Sequence, residues 1–489
     1  MNTSNTDNSE DNVSPAVKAI NLILEDAILG HTPDKKAYIS FIRGDIIAVE
    51  SMSMKDEIQY RFFRKYDKTL SNSAAKEAMD TLRSMAIREG EEWALANRSA
   101  SEDGYAEIDL CRPDNQRVCI TPEYVSVIPA EEGRYRFKRS PDMLSLPLPS
   151  DTPDLSRFRP YINVDGEEQF TLLMILIAFY ICGYRSFPLM ALVGSPGAGK
   201  SEAARFIRLI IDPNSLPLGS IPDSDRDAFI EATSYRLIVL DNIQVITNKR
   251  IADRYAKIST GGGMRPRKLY EDNGTNTLYA CSPILMTALE PPTARSDLAD
   301  RTLTFYLVRI PEDQRLPGRE LEERFAQDYP HILAGFYDLI SKTMAKLQTM
   351  NAADYNLPRM ADFGLFGIAA AKVLCLEEGA FMRLYSSAIQ ESAQGVVDAN
   401  PLLGGILSLM DQSEESIIRM TPRALLRKLT FHNKELTKSL NERSLGKRIR
   451  ELTPMLQLHG ITCRAGRGKE RYIELSKRVT GAENMESAA

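Results

Sequence analysis

Eight consecutive residues have the types and spacing that bind phosphate. They are Gly194, Ser195, Pro196, Gly197, Ala198, Gly199, Lys200 and Ser201, and they satisfy the pattern G-x-x-x-x-G-K-[ST] in full. An apolar run at 189–193 predicts a strand before them, and the apolar spacing of 202–211 predicts a helix after them. In that setting backbone N–H groups surround the phosphates, Lys200 reaches the β- and γ-phosphates, and the Ser201 hydroxyl holds Mg²⁺. A glycine-rich turn with an accidental lysine is the alternative, and the flanking elements disfavour it.

Two further strand ends carry polar residues. The apolar residues 237–240 predict a buried strand that ends at Asp241, which is followed by Asn242. A carboxylate at the carboxyl end of a parallel strand faces the phosphate site, so Asp241 and Ser201 are the predicted Mg²⁺ ligands. Residues 284–288 predict another core strand, with Thr287 at its catalytic end.

Arg301 closes an acidic turn at 294–301 and precedes an apolar run that predicts another strand. A buried arginine requires partners. One interpretation is a local salt bridge to Asp297 or Asp300. The other is an arginine donated across a subunit boundary to the γ-phosphate of a neighbour.

In this order the residues resemble an AAA+ ATPase. More closely, the chain is similar to the MCM-like and superfamily 3-like DNA helicases of phages and integrative mobile elements, including those of staphylococcal cassette chromosomes. The closer resemblance spans about residues 80 to 475, and it is carried by the segments 240–243, 259–263, 267–270, 295–301 and 357–363. It implies ATP and Mg²⁺ as cofactors and a homo-hexameric ring. It also implies Thr287 as sensor 1, Arg301 as arginine finger and Arg359 as sensor 2 on a helical lid.

The chain departs from this pattern at Asn242. Most AAA+ proteins have a glutamate here that polarises the attacking water. An amide can orient water but cannot accept its proton. Either another carboxylate does that work or hydrolysis is slow. Thr287 replaces a more usual asparagine, which is a milder change because a hydroxyl can still orient water.

Two basic regions are candidate DNA contacts. The first surrounds an Asn-Gly turn at 273–274, which predicts a hairpin with Arg265, Arg267 and Lys268 on one arm. The second is the segment 416–478, whose 16 Lys and Arg against five Asp and Glu predict a polyanion-binding winged helix. Its candidate contacts are Lys447, Arg448, Arg464, Arg467, Lys469 and Arg471. The alternatives are a solvated hairpin for the first region and a protein-docking module for the second.

The fold class is α/β: an AAA+ P-loop core with a helical lid, after an α+β N-terminal domain and before a C-terminal winged helix. The predicted segments are a disordered tail (1–15), an N-terminal collar or DNA-entry domain (16–145), a Pro-rich linker (146–160), the ATPase core (161–312), the lid (313–405), the winged helix (406–478) and a tail (479–489). Within the first domain, we expect a helix over residues 16–30 and a β-hairpin over residues 38–50. Asp103 and Asp109 there are more simply structural acids than metal ligands.

Composition places the chain among ordinary globular proteins. Its 489 residues carry a net charge of −5, so any nucleic-acid surface must be local. The six cysteines are dispersed, which fits a reducing cytoplasm. We expect no signal peptide, no structural zinc site and no membrane span.

The leading hypothesis is an ATP-driven DNA helicase of a mobile element or phage that acts in replication on single-stranded or forked DNA. Asn242 motivates a rival, an ATPase switch such as a helicase loader or initiator with weak hydrolysis. A defence-system ATPase would need an effector domain, and no nuclease or membrane motif supplies one.

Overall fold

The structure is a computed structural model that describes residues 13–102, 104–183, 185–264, 278–399, 401–413, 415–432, 442–467 and 471–477. The helices are α1 Pro15–Leu24, α2 Met52–Tyr66, α3 Asn72–Arg88, α4 Gly166–Cys182, α5 Lys200–Ile211, α6 Asp225–Ser234, α7 Lys249–Thr260, α8 Ser296–Ala299, α9 Gly318–Gln348, α10 Ala361–Val373, α11 Ala380–Ala399, α12 Pro401–Asp411, α13 Pro422–His432 and α14 Glu442–Leu458. Short 3-10 helices cover Ala130–Glu132, Leu155–Tyr161, Glu312–Gln314 and Ala352–Asp354.

The first ten strands are β1 Ala27–His31, β2 Ala37–Phe41, β3 Ile46–Ala48, β4 Glu91–Glu92, β5 Leu95–Ala96, β6 Ser99–Glu102, β7 Tyr105–Asp109, β8 Gln116–Ile120, β9 Val125–Pro129 and β10 Arg136–Phe137. The remaining strands are β11 Leu189–Val193, β12 Ile238–Leu240, β13 Gly262–Met264, β14 Leu278–Ala280, β15 Ile284–Ala288, β16 Thr302–Tyr306, β17 Ile417–Met420, β18 Ile461–Arg467 and β19 Arg471–Lys477.

The N-terminal region begins with a small unit that has its own hydrophobic core. Helices α1, α2 and α3 pack on the sheet β3-β2-β1-β4, and their buried residues form one cluster. The predicted hairpin at 38–50 is present as β2 and β3, but the helix predicted over 16–30 ends at Leu24. Residues 27–31 instead pair with β2 as strand β1. At Gly30 a β-carbon would lie 2.3 Å from the Trp93 ring, so the close packing of the indole requires glycine.

The second part of the N-terminal region packs against the core. The antiparallel sheet β6-β7-β8-β9 contributes Ala106, Ile108 and Val118 to the same buried cluster as the core sheet. A fully buried arginine, Arg98, joins the two. It donates to Asp212 Oδ1 at 3.1 Å and to the carbonyls of Asp109, Leu144 and Pro213. Residues 99–145 therefore pack against the residues that follow α5.

The core is a four-stranded parallel sheet in the order β12-β15-β11-β16. This confirms the predicted mixed α/β class with a parallel sheet. Its strands are buried except at Tyr306, the last residue of β16, as expected for a sheet covered on both faces. Residues 172–182 of helix α4 are buried on all sides, because α4 contacts α5, α9, α10 and α11 and the strands β6 and β7.

Helices α9, α10 and α11 share one hydrophobic cluster with the sheet. The Pro-rich segment also packs on α9, where the amide N–H groups of Ser150 and Asp154 donate to the carbonyls of Pro330 and His331. This segment is a packed connection rather than a free spacer, because its backbone bonds are satisfied by the helix.

The C-terminal unit combines α12, α13 and α14 with the antiparallel sheet β17-β19-β18. It has a separate hydrophobic cluster, which includes Ala299 of α8. Residues 433–441, between α13 and α14, lie outside the described residues. Among the helices of the described ranges, none has the length and apolarity needed to cross a membrane.

Candidate functional site

The loop between β11 and α5 has the backbone of a phosphate cradle. Gly197 and Gly199 have φ angles of 83° and 76°, a left-handed conformation that favours glycine. At Gly194 a β-carbon would lie 2.7 Å from the carbonyl oxygen of Leu307, so close backbone approach requires glycine there too. Ser195, Pro196 and Ala198 complete the loop, and it leads directly into the N-terminus of α5.

The Lys200 side chain folds back over this loop. Its Nζ donates to the carbonyl oxygens of Gly194 at 2.7 Å and Ser195 at 3.1 Å. Burial lowers the pKa of Lys200, and the nearby charge of Asp241 opposes that shift. The ammonium group thus lies between the loop backbone and the acid that ends β12.

Ser201, Asp241 and Thr287 converge at the carboxyl edge of the sheet. Asp241 Oδ1 accepts a hydrogen bond from Ser201 Oγ at 2.9 Å and another from Thr287 Oγ1 at 2.6 Å. These residues follow or belong to three different elements, α5, β12 and β15, which the parallel sheet brings together. A hydroxyl and a carboxylate at this distance are a donor set that suits Mg²⁺ beside a triphosphate.

Asn242 is held by its backbone. Its N–H donates to Thr287 Oγ1 at 2.7 Å, and its φ angle is 51°. Among residues other than glycine, asparagine and aspartate tolerate this left-handed conformation best. The backbone geometry at this position therefore favours asparagine over glutamate. The Asn242 side chain, an amide, is exposed.

Arg301 and Arg359 lie together at the opposite edge of the sheet. Leu189 of β11 pairs in parallel with Thr302 of β16, so Arg301 is level with the start of β11 rather than with its phosphate-loop end. Arg359 forms an ion pair with Asp300. Burial lowers the pKa of Arg301, and the charge of Arg359 lowers it further. The structure thus brings the predicted finger and sensor 2 residues together, and it places both away from the phosphate loop of the same chain.

Sequence reasoning missed Arg315. A β-carbon built on Gly197 would lie 3.4 Å from Arg315 Nη2, so this guanidinium borders the phosphate loop. The segment that carries it is held by the N–H of Ile310, which donates to the Gly197 carbonyl at 3.3 Å. No motif marks Arg315, because its proximity depends on how the chain returns after β16.

The predicted DNA contacts are only partly within the described residues. Arg265, Arg267, Lys268 and Lys469 lie outside them, although the arms β13 and β14 of the predicted hairpin pair in antiparallel. Lys447 and Arg448 are exposed on α14, and Arg464 and Arg471 are exposed on β18 and β19. Arg467 pairs with Arg471 in the β18–β19 register.

Comparison with protein families places part of this core in context. Residues 162–378, less than half of the chain, match the model of the actinomycete integrative conjugative element replication protein family. A search of curated proteins found no match.

The solved structures that resemble the chain include the following two. One is the apo structure of the NrS-1 C-terminal region, with 14% identity, a TM-score of 0.40 and coverage of 95% of this chain and 99% of that one. The other is described as "SCCmec type IV Cch - active helicase", with 13% identity, a TM-score of 0.43 and coverage of 92% and 93%.

Proposed function

We propose that the chain is an ATP-driven DNA helicase of a mobile genetic element or phage, acting in replication. The observation that carries the proposal is the convergence of Ser201, Asp241 and Thr287 beside the phosphate loop. The match of residues 162–378 to a replication-protein family of integrative elements supports the setting. The dispersed free cysteines support a cytoplasmic location.

The proposed reaction is hydrolysis of ATP, with the loop from Gly194 to Ser201 holding the phosphates. Lys200 and Arg315 bring positive charge to them, and Thr287 anchors Asp241 and the Asn242 backbone. Mg²⁺ would be held by Ser201 and Asp241, where it would neutralise charge on the phosphate oxygens. Asn242 would orient the attacking water without accepting its proton.

The position of Arg301 supports a ring, which we take to be a homo-hexamer. A strand of five residues spans roughly 17 Å, so Arg301 cannot reach the phosphates bound to its own chain. It can act only on a neighbour, and a head-to-tail interface that repeats and closes makes a ring. Arg359 belongs to the same surface that would face the neighbour, because it forms an ion pair with Asp300, the residue before Arg301.

DNA binding is assigned to two surfaces. The antiparallel arms β13 and β14 support a hairpin that faces DNA, with Arg265, Arg267 and Lys268 as contacts. The described part of the C-terminal unit contains α12, α13, α14 and the sheet β17-β19-β18. Together with the exposed side chains of Lys447, Arg448, Arg464 and Arg471, it supports a winged helix. Arg467 and Lys469 belong to the same proposed surface.

The test is strand displacement on a forked DNA duplex with ATP. The wild type should separate the strands, whereas Lys200→Ala and Arg301→Ala should not. Mixing the two inactive variants tests donation between subunits, because random rings place an intact loop beside an intact arginine at about a quarter of boundaries. Arg319→Ala, a change at an exposed arginine of α9, is the matched control. Absence of strand displacement by the wild type would refute the helicase proposal.

The backbone of Asn242 favours a second candidate, an ATPase switch such as a helicase loader or replication initiator. With no glutamate at this position, ATP binding rather than turnover would drive assembly. Steady-state turnover separates the two. Stimulation by single-stranded DNA supports the motor, and near-zero turnover with ATP-dependent oligomers supports the switch.

A further inference from the structure

A cavity of about 730 Å³ lies where the N-terminal region meets the ATPase core. One wall comes from the turn between β1 and β2 and from β5 and β6. The other comes from residues 232–236, ahead of β12, and from 278–282, ahead of β15. These strand starts define the amino edge of the parallel sheet, opposite the phosphate loop. The volume falls within the ~300–1,000 Å³ range typical of ligand sites.

The lining is positively charged. Lys36, Lys138 and Arg236 line it, and Asp34 is the only carboxylate among the described lining residues. Asp34 is already paired with Lys36 at 2.9 Å. Burial lowers the pKa of Lys138; the charge of Lys36 adds to that shift, and the charge of Asp34 opposes it.

Lys138 is held in the same wall. Its Nζ donates to the Thr233 carbonyl at 2.6 Å, and Asn97 Nδ2 donates to the same oxygen at 2.9 Å. An ammonium group carries three N–H donors, so Lys138 keeps donors for a ligand in the cavity.

An exposed aromatic ring completes the site. Tyr279 of β14 lines the cavity and is 64% exposed. Exposed aromatic rings beside cationic groups are the combination that binds single-stranded nucleic acid, with bases stacked on rings and phosphates on lysines. A rigid duplex is too wide to place a base against Tyr279 within a cavity of this size.

We propose that this cavity binds a short stretch of single-stranded nucleic acid. Lys36 and Lys138 contact its phosphates, and Tyr279 stacks on a base. The inference deepens the proposed helicase function and rests on it, since it names where the displaced or translocated strand lies.

The first experiment measures the binding of a fluorescent oligothymidylate to the full chain as a function of salt. Lys36→Gln combined with Lys138→Gln should lower the log–log salt slope by about 1.4, from about 0.7 for each lost contact with single-stranded DNA. The matched control is Lys65→Gln combined with Lys76→Gln, two exposed lysines of α2 and α3. Binding of a fluorescent ATP analogue shows that the variants keep a folded nucleotide site.

The second experiment addresses the stacking contact. Tyr279→Ala should weaken oligothymidylate binding by about 5- to 150-fold, whereas Tyr279→Phe should bind like the wild type. Photo-crosslinking with an oligonucleotide that carries 5-iododeoxyuridine should label Tyr279. Thymidine monophosphate distinguishes a strand from a free nucleotide, because it should compete only weakly.

The outcomes separate this inference from the helicase proposal. Wild-type protein that binds no DNA would refute both. Wild-type protein that unwinds DNA, with an unchanged salt slope in the Lys36 and Lys138 double variant and no label on Tyr279, would refute the cavity site alone. Competition by thymidine monophosphate equal to that of the oligonucleotide would refute a strand as the ligand.

Discussion

Replacement of Thr287 by valine tests the chemistry of the candidate site most directly. The hydroxyl is almost fully buried, at 1% exposure, and it makes two hydrogen bonds. It donates to Asp241 Oδ1 at 2.6 Å and accepts from the Asn242 N–H at 2.7 Å. Valine has nearly the same shape, so Thr287→Val removes both bonds while leaving the packing of β15 unchanged.

The size of the effect follows from these contacts. A hydrogen bond to a charged acceptor contributes about 1.5–3 kcal/mol, and the abandoned Asn242 N–H adds a penalty of about 1–3 kcal/mol if no water reaches it. We expect the free energy of unfolding to fall by roughly 1.5–3 kcal/mol if water reaches this N–H, and by roughly 2.5–6 kcal/mol if it does not. Thr287→Ser keeps both bonds and loses one methyl group, which costs about 0.8 kcal/mol.

The assay is urea unfolding of the two variants and the wild type, followed by steady-state ATP turnover of the folded proteins. Thr287→Val should lower turnover at saturating ATP by up to about 100-fold, because a displacement of about 1 Å in a catalytic group costs about that much. Thr287→Ser should stay close to the wild type in both measurements.

One result would refute this reasoning. If Thr287→Val is as stable as Thr287→Ser and hydrolyses ATP at the wild-type rate, the hydroxyl neither anchors Asp241 nor fixes the Asn242 backbone. The orientation of these two residues would then depend on the strand alone.

Four further predictions follow from individual contacts. Asn242→Glu should lower stability by about 1–2 kcal/mol in urea unfolding, because of the left-handed φ, and should not raise ATP turnover; increased turnover would contradict this. Arg315→Ala should weaken binding of a fluorescent ATP analogue about tenfold through the loss of a charge-assisted contact, and Arg319→Ala should not. Ala299→Leu should overpack the contact between α8 and the C-terminal unit, with a cost of about 1–3 kcal/mol in thermal unfolding and reduced turnover, because Arg301 is two residues away. Arg139 holds the pKa of Asp109 below its usual value in the folded state. This carboxylate therefore contributes stability at pH values above its unfolded-state pKa, near ~4. That stability is lost as the pH falls through the folded-state pKa. Asp109→Asn should flatten that acid dependence in urea midpoints measured between about pH 6 and 3.

The convergence of Lys200, Ser201, Asp241 and Thr287 could be predicted from the sequence. Each residue follows or ends an apolar run, and the carboxyl ends of parallel strands meet at one edge of a sheet. A local pattern and one topological rule were therefore enough. The position of Arg301 was partly predictable for the same reason, because it precedes a strand rather than follows one.

Other features depend on contacts that no local pattern records. Residues 27–31 form a strand because β2 offers a pairing edge, which overrides the helical spacing of the preceding residues. Arg315 reaches the phosphate loop through the return of the chain after β16, and Arg359 meets Asp300 across 59 residues. The cavity at the amino edge combines segments from 32 to 282, so it exists only in the folded chain.

Two strands connect the proposed DNA site to the proposed nucleotide site. The first path runs from Arg236, in the cavity wall, through β12 to Asp241. The second runs from Ser282, in the same wall, through β15 to Thr287. Each path is about five residues long, or roughly 17 Å, and buried strands transmit displacement with little deformation. Asp241 and Thr287 are hydrogen-bonded at 2.6 Å, so the two strands cannot shift independently at the nucleotide end. A nucleic-acid strand that moves residues 232–236 against 278–282 would therefore have to strain this bond or move both strands together. In the proposed helicase, these two strands would couple ATP hydrolysis to DNA movement.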